Sequence, residues 1–210
     1  MKLRLTALAL VLLASACSRE GQLAETGVYV VRSACPQVGI PAATGDITLF
    51  NPANRTDAAA IDVTAVMTNV RSTCDETGAN VVSTVTFDVI ASRRDPTQAR
   101  SVVLPYFTVA MQGGTQVVAK QIGNVGLNFD AGSYRAQTSG QATIQVSRSV
   151  ATLPADVRKE LTRERRPGDA DAAIDPLADP KIRDAVARAT FEHLVGFQLT
   201  PEQLRYNATR

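Results

Sequence analysis

The stretch Ile61-Asp62-Val63-Thr64-Ala65-Val66-Met67-Thr68, followed after Asp75-Glu76-Thr77-Gly78 by the run from Val81 to Ile90, decides the fold. In the first, Ile61, Val63, Ala65 and Met67 alternate with Asp62, Thr64, Val66 and Thr68; in the second, Val85, Phe87 and Val89 alternate with Thr84, Thr86 and Asp88. Successive side chains of a strand project to opposite faces, so a period of two lays one face on a core and leaves the other to solvent. Two such runs joined by a short polar turn predict an antiparallel hairpin.

Working outward, the same texture recurs. Val28-Tyr29-Val30-Val31 is β-branched and aromatic, and residues 46–50 form a short run closed by the turn signal Asn51-Pro52. Residues 102–111, the turn Gly113-Gly114, residues 115–122, 126–129 and 142–146 complete the set. Pro105 cannot donate to a ladder, which predicts an edge or a bulge at that point. Seven or eight strands so spaced predict a mainly β domain over 28–150, an antiparallel β-sandwich of immunoglobulin-like architecture. The chain has no Trp, so the core Trp of true immunoglobulin domains is missing.

The texture changes near Ala151. Residues 151–210 read as a helical C-terminal extension: a charged helix over 153–166, a flexible Asp-, Ala- and Pro-rich linker over 167–180, and a second helix over 181–197. Pro180 suits a first helical position. Ile182, Val186, Ala189 and Leu194 share one face, and Gly196 marks the end. Thr200-Pro201-Glu202-Gln203 is a capped turn before the tail.

The other end of the chain carries an address. Lys2 and Arg4 precede a nearly unbroken apolar run over 5–13, small residues Ala14, Ser15 and Ala16, and then Cys17. This is the layout of an export signal, about half the length needed to span a bilayer. Leu13-Ala14-Ser15-Ala16-Cys17 resembles the lipobox of bacterial lipoproteins, although Ala14 stands where Leu is commonest. The resemblance covers residues 1–17 only. It implies a signal peptide over 1–16, diacylglyceryl and acyl (palmitate-type) lipidation of Cys17, and a tether over 17–27. Two or more acyl chains give durable membrane anchoring. Ser18 is not the Asp that retains some lipoproteins in the inner membrane. The resemblance therefore points to the outer membrane, periplasmic side, with the inner membrane and the cell surface as alternatives.

With Cys17 lipidated, Cys35 and Cys74 remain as an even pair in an oxidising compartment, which predicts a disulfide. Without Lys2 and Arg4 the remaining chain holds 20 basic and 20 acidic residues, so nothing suggests a nucleic-acid footprint. Two cysteines and a single histidine, His193, do not supply the usual four ligands of a structural zinc site, and no metal or cofactor is expected.

Candidate chemistry is thin. Any nucleophilic triad must pass through His193, which this reading puts on the second helix, and no GxSxG elbow occurs. Asp62 and Asp88 fall at solvent-side positions of alternating strands. Asp169, Asp171, Asp175 and Asp179 lack the spacing of a calcium loop. The basic run Arg163 to Arg166 suits a helix C-terminus. No catalytic residue is assigned. The expected function is non-enzymatic: an anchored envelope protein with a structural or protein-interaction role, holding an envelope protein partner. The alternative is a small-ligand or glycan-binding lipoprotein using Tyr29, Tyr106 or Tyr134.

Overall fold

Residues 61–75 and 80–93 pair antiparallel, from Val63 opposite Arg93 to Asp75 opposite Val82. Val63, Ala65 and Met67 from one strand and Val85, Phe87 and Val89 from the other are buried, so the alternation quoted above is the core pattern. The structure is a computed structural model and describes residues 23–24, 27–28, 33–163, 165, 168, 170–171 and 173–209. It divides into two compact units, Met1–Arg32 with Thr162–Ile174, and Ser33–Leu161 with Asp175–Arg210. In the first, β1 (Leu23–Ala24) pairs antiparallel with β2 (Gly27–Val28), and Arg163 forms an ion pair with Asp171.

The second unit holds β3 (Gln37–Gly39), β4 (Asp46–Phe50), β5 (Ile61–Asp75), β6 (Asn80–Arg93), β7 (Arg100–Gln112), β8 (Gln116–Phe129) and β9 (Arg135–Ser147). Then come α1 (Arg148–Ala151), α2 (Ala155–Leu161), α3 (Pro180–Ala189), β10 (Phe191–Phe197) and α4 (Pro201–Thr209). Two four-stranded sheets result, in the orders β3-β10-β7-β8 and β4-β5-β6-β9. All pairings are antiparallel except β3 with β10. The main apolar cluster draws on both: Val63, Phe87 and Val89 from one sheet, Leu104, Leu127 and Val195 from the other. The protein is therefore mainly β; among the described residues the α-helices all follow β9, and a single 3-10 turn, Ala58–Ala60, precedes β5.

The expected helix over 181–197 is corrected. It ends at Ala189, and residues 191–197 form β10, inserted between β3 and β7 in the middle of a sheet. Phe191, His193, Val195 and Phe197 are buried there. The physical reason is that an amphipathic helix and a buried strand put apolar residues at overlapping positions over this length; the open edges of β3 and β7 decide between them. The 151–210 segment is thus not a helical extension apart from the strands. The charged helix expected over 153–166 is the shorter α2, and α3 starts at Pro180, with Asp179 accepting from the Lys181 N–H.

Pro105 sits where its missing donor costs little. β10 ends at Phe197, opposite Tyr106, so in this sheet residues 100–105 of β7 have a strand neighbour on the β8 side only. The two expected short strands at 115–122 and 126–129 are one strand, β8. Glycines admit two crossing rings: a Cβ on Gly123 would meet Tyr106, and one on Gly140 would overlap Phe87. Phe87 and Tyr106 pack edge to face with ring centroids 5.1 Å apart.

Two covalent or polar ties fix the ends of the stack. Cys35 and Cys74 form a disulfide that pins the chain before β3 to the end of β5. At the opposite end the buried Arg93 guanidinium donates to four backbone carbonyls: Ser133 (2.8 Å), Gln98 (2.6 Å), Pro96 (3.1 Å) and Asp130 (2.8 Å). It also lies over the Phe129 ring at 5.0 Å. One cation thereby organises the loops around 94–99 and 130–134.

Candidate functional site

His193 is the residue through which nucleophilic chemistry would have to pass, and its position on β10 seals it from solvent at 0 % exposure. Ser83 Oγ of β6, on the facing sheet, lies 2.9 Å from Nδ1, and Thr108 Oγ1 of β7 lies 2.8 Å from Nε2. A neutral imidazole donates from one nitrogen and accepts at the other, and a hydroxyl can take either role, so the trio satisfies itself. Burial pushes the imidazole pKa down to about 4, which keeps the ring neutral near pH 7. Ser83 and Thr108 are themselves buried.

The Ser83–His193 contact has the separation of a nucleophile and its base, but not their setting. A base needs an orienting acceptor and a substrate needs access. Here the second nitrogen meets a threonine hydroxyl, and apolar layers close both sides. Val81, Ala110, Ile144 and Phe191 lie on one side of the trio; Val85, Leu104 and Val195 lie on the other. The arrangement ties one sheet to the other through the core. A sequence signal for this existed: Ser83 stands at an inward position between Val81 and Val85.

The other candidates are dispersed. Asp62 makes a bidentate pair with Arg100 at 2.8 and 2.7 Å. Asp88 accepts from Asn69 Nδ2 and Ser139 Oγ, both at 2.8 Å, and these bonds, Asn69 first, lower its pKa. Asp171 is paired with Arg163, which lowers its pKa. Asp175 caps the short 3-10 turn Pro176–Ala178 through the Leu177 N–H and Asp179 caps α3 through the Lys181 N–H, and Asp169 lies outside the described residues. Among the described residues no three His, Cys, Asp or Glu side chains gather as a metal site.

Tyr106 is committed to the interior: its ring packs on Phe87 and its hydroxyl donates to the Gln141 carbonyl at 2.8 Å. Tyr134 is exposed on the turn before β9. Tyr29 and Cys17 lie outside the described residues, as does most of the 17–27 tether. No described helix is long and apolar enough to cross a membrane.

What the surface offers instead is apolar exposure on β7 and β8. Val103 is 65 % exposed, Val117 55 %, Val118 43 % and Ile122 61 %. Every residue over 116–122 is exposed, whereas Val125, Leu127 and Phe129 further along β8 are buried. The sheet order leaves β8 with a strand on one side only, among the described residues. Val103 stands opposite Gly126 and Val117 opposite Met111, eight positions apart along β7, so only Val117, Val118 and Ile122 share the 116–122 half of β8 beside the bare edge. No protein-family model matches the chain, and neither a curated protein nor a solved structure is significantly similar to it.

Proposed function

We propose that this protein is a lipid-anchored envelope lipoprotein, non-enzymatic, that holds a protein partner in the periplasm through the exposed half of β8. The observation that carries the binding half is the exposure of Val117, Val118 and Ile122 on the half of β8 whose far edge is bare among the described residues. The anchoring half rests on the lipobox-like Leu13-Ala14-Ser15-Ala16-Cys17, and the Cys35–Cys74 disulfide is in keeping with an oxidising compartment. Outer-membrane attachment follows from Ser18 after the lipidated cysteine. The accompanying fold reading is a β-sandwich of immunoglobulin-like architecture, supported by two four-stranded sheets that share a core.

Two measurements test this. Metabolic labelling with palmitate and detergent phase partitioning should mark the wild type and not the Cys17→Ser variant; equal labelling of both overturns the anchor. A photo-crosslinking side chain at position 122 should trap a protein in intact cells, and one at position 134 should not. Trapping at 134 alone, or at neither, overturns the binding surface.

A further inference from the structure

Deepening that reading, and resting on it, we propose that residues 116–122 of β8 bind an extended partner segment as an added strand, with an acidic side chain of the partner set against Lys120. Three observations carry this. The edge is bare, since β8 closes its sheet and nothing described pairs its far side. In a two-neighbour strand the main chain bonds both ways; on an edge every second N–H and C=O points outward and forms a template for another strand, regular here over 119–122 and broken at Val118, where the register against β7 shifts. Every residue over 116–122 is exposed, Ala119 and Gln121 included, so side chains on both faces of the stretch are accessible. An added strand would gain contacts on both faces.

The third observation selects the occupant. Gln116–Phe129 contains one charged residue, Lys120, at the middle of the exposed half. Its ammonium rests 5.5 Å from the centroid of the Phe107 ring on the neighbouring strand, a contact of modest strength at an exposed site. A carboxylate on the adjoining strand gives that ammonium a cross-strand partner of opposite sign. A second copy of the chain does the reverse. Antiparallel pairing of this edge with itself about Gln121 sets the two Lys120 side chains two residues apart, about 7 Å at the rise of a strand, and like charges so placed oppose pairing. The edge is therefore open to a heterologous acidic strand and guarded against its own kind.

The probe is a synthetic, end-blocked heptapeptide alternating Val and Thr with a central Glu, compared with the same peptide carrying a central Lys. Calorimetric titration of the full chain should show the Glu peptide binding at least tenfold more tightly than the Lys peptide, and Lys120→Glu should reverse the order. Amide exchange followed by NMR should slow at alternate residues over 119–122, beyond the register shift at Val118, when the Glu peptide is bound, a period-two signature that binding to a sheet face lacks. Indifference of affinity to the Lys120→Glu change, protection without that period, or no binding at millimolar peptide overturns the proposal. A dimer that persists in Lys120→Glu assigns the edge to a second copy and also overturns it. Cross-linking at position 122 in cells combined with any of these results would sink the strand geometry while leaving the protein-binding reading in place.

Discussion

Ser83 and His193 stand 110 positions apart in the chain and 2.9 Å apart in the fold, joining the two sheets by one hydrogen bond through an otherwise apolar interior. With Thr108 on the other ring nitrogen, the trio forms a polar rung between two hydrophobic clusters.

Removing the imidazole should strand two buried hydroxyls. We expect His193→Leu to cost about 2–4 kcal/mol, since an orphaned buried group carries its full desolvation penalty. The triple variant His193→Leu, Ser83→Ala, Thr108→Val should recover much of the loss, because all three partners leave together. Urea denaturation at pH 8 measures both; a single variant as stable as wild type would refute the bridge.

Acid should act through the same ring. The unfolded imidazole takes its proton near 6.5 and the folded one near 4. Stability is therefore full above about pH 6.5 and falls as pH drops toward 4, by up to about 3 kcal/mol for this shift. In His193→Leu that part of the slope should vanish between pH 7 and 4.5, as followed by denaturation midpoints.

Arg93→Met should loosen one end of the stack. Four carbonyls lose their donor at once, and we expect a loss of about 3 kcal/mol or more. Hydrogen exchange should accelerate most around 94–99 and 130–134, and uniform acceleration across all strands would count against a local role.

The glycines of β8 and β9 should differ sharply. Gly140→Ala pushes a methyl group into the Phe87 ring and should cost about 1–3 kcal/mol. Gly126→Ala meets nothing within 4 Å and should stay within about 0.5 kcal/mol of wild type. Thermal melts of the two variants side by side decide it.

Truncations should separate the C-terminal elements. Deleting 168–210 removes β10 and should abolish cooperative folding, read by near-ultraviolet circular dichroism. Deleting 201–210 removes α4, none of whose residues is buried; its ties include Tyr206 against Phe50 and Asn207 to the Ala43 and Asp46 carbonyls. That shorter chain should fold, with a melting temperature lowered by a few degrees.

The sequence is readable where one period dominates and opaque where two overlap. The β5–β6 hairpin announces itself because alternation over 61–68 and 81–90 has no helical counterpart. The Thr200–Gln203 capping box is equally local, and both of its reciprocal bonds form, at 2.9 and 3.2 Å. By contrast Ile182, Val186, Ala189 and Leu194 satisfy a helical face across a boundary at Thr190 that only the open edges of β3 and β7 impose. Gly196, read as a helix stop, is instead a site of close approach, where a Cβ would meet Thr44 and Phe107. His193 was misplaced with its element, and its two hydroxyl partners lie on strands that nothing local connects to it. Cys35 and Cys74 are legible as a pair once the lipobox-like segment sets Cys17 aside from the three cysteines.

The order of the sheet also has a bearing on time. β10 fills the gap between β3 and β7, yet among the described strands it is the last to be made, so β3 to β9 are all synthesised before the sheet can close. Its pairing with β3 spans more than 150 positions, a separation whose loop-closure cost slows folding. Until residues 191–197 arrive, β3 and β7 present raw edges to any passing strand. A premature stop upstream of Phe197 would leave that vulnerability permanent, which makes the C-terminal segment the closing piece of the fold.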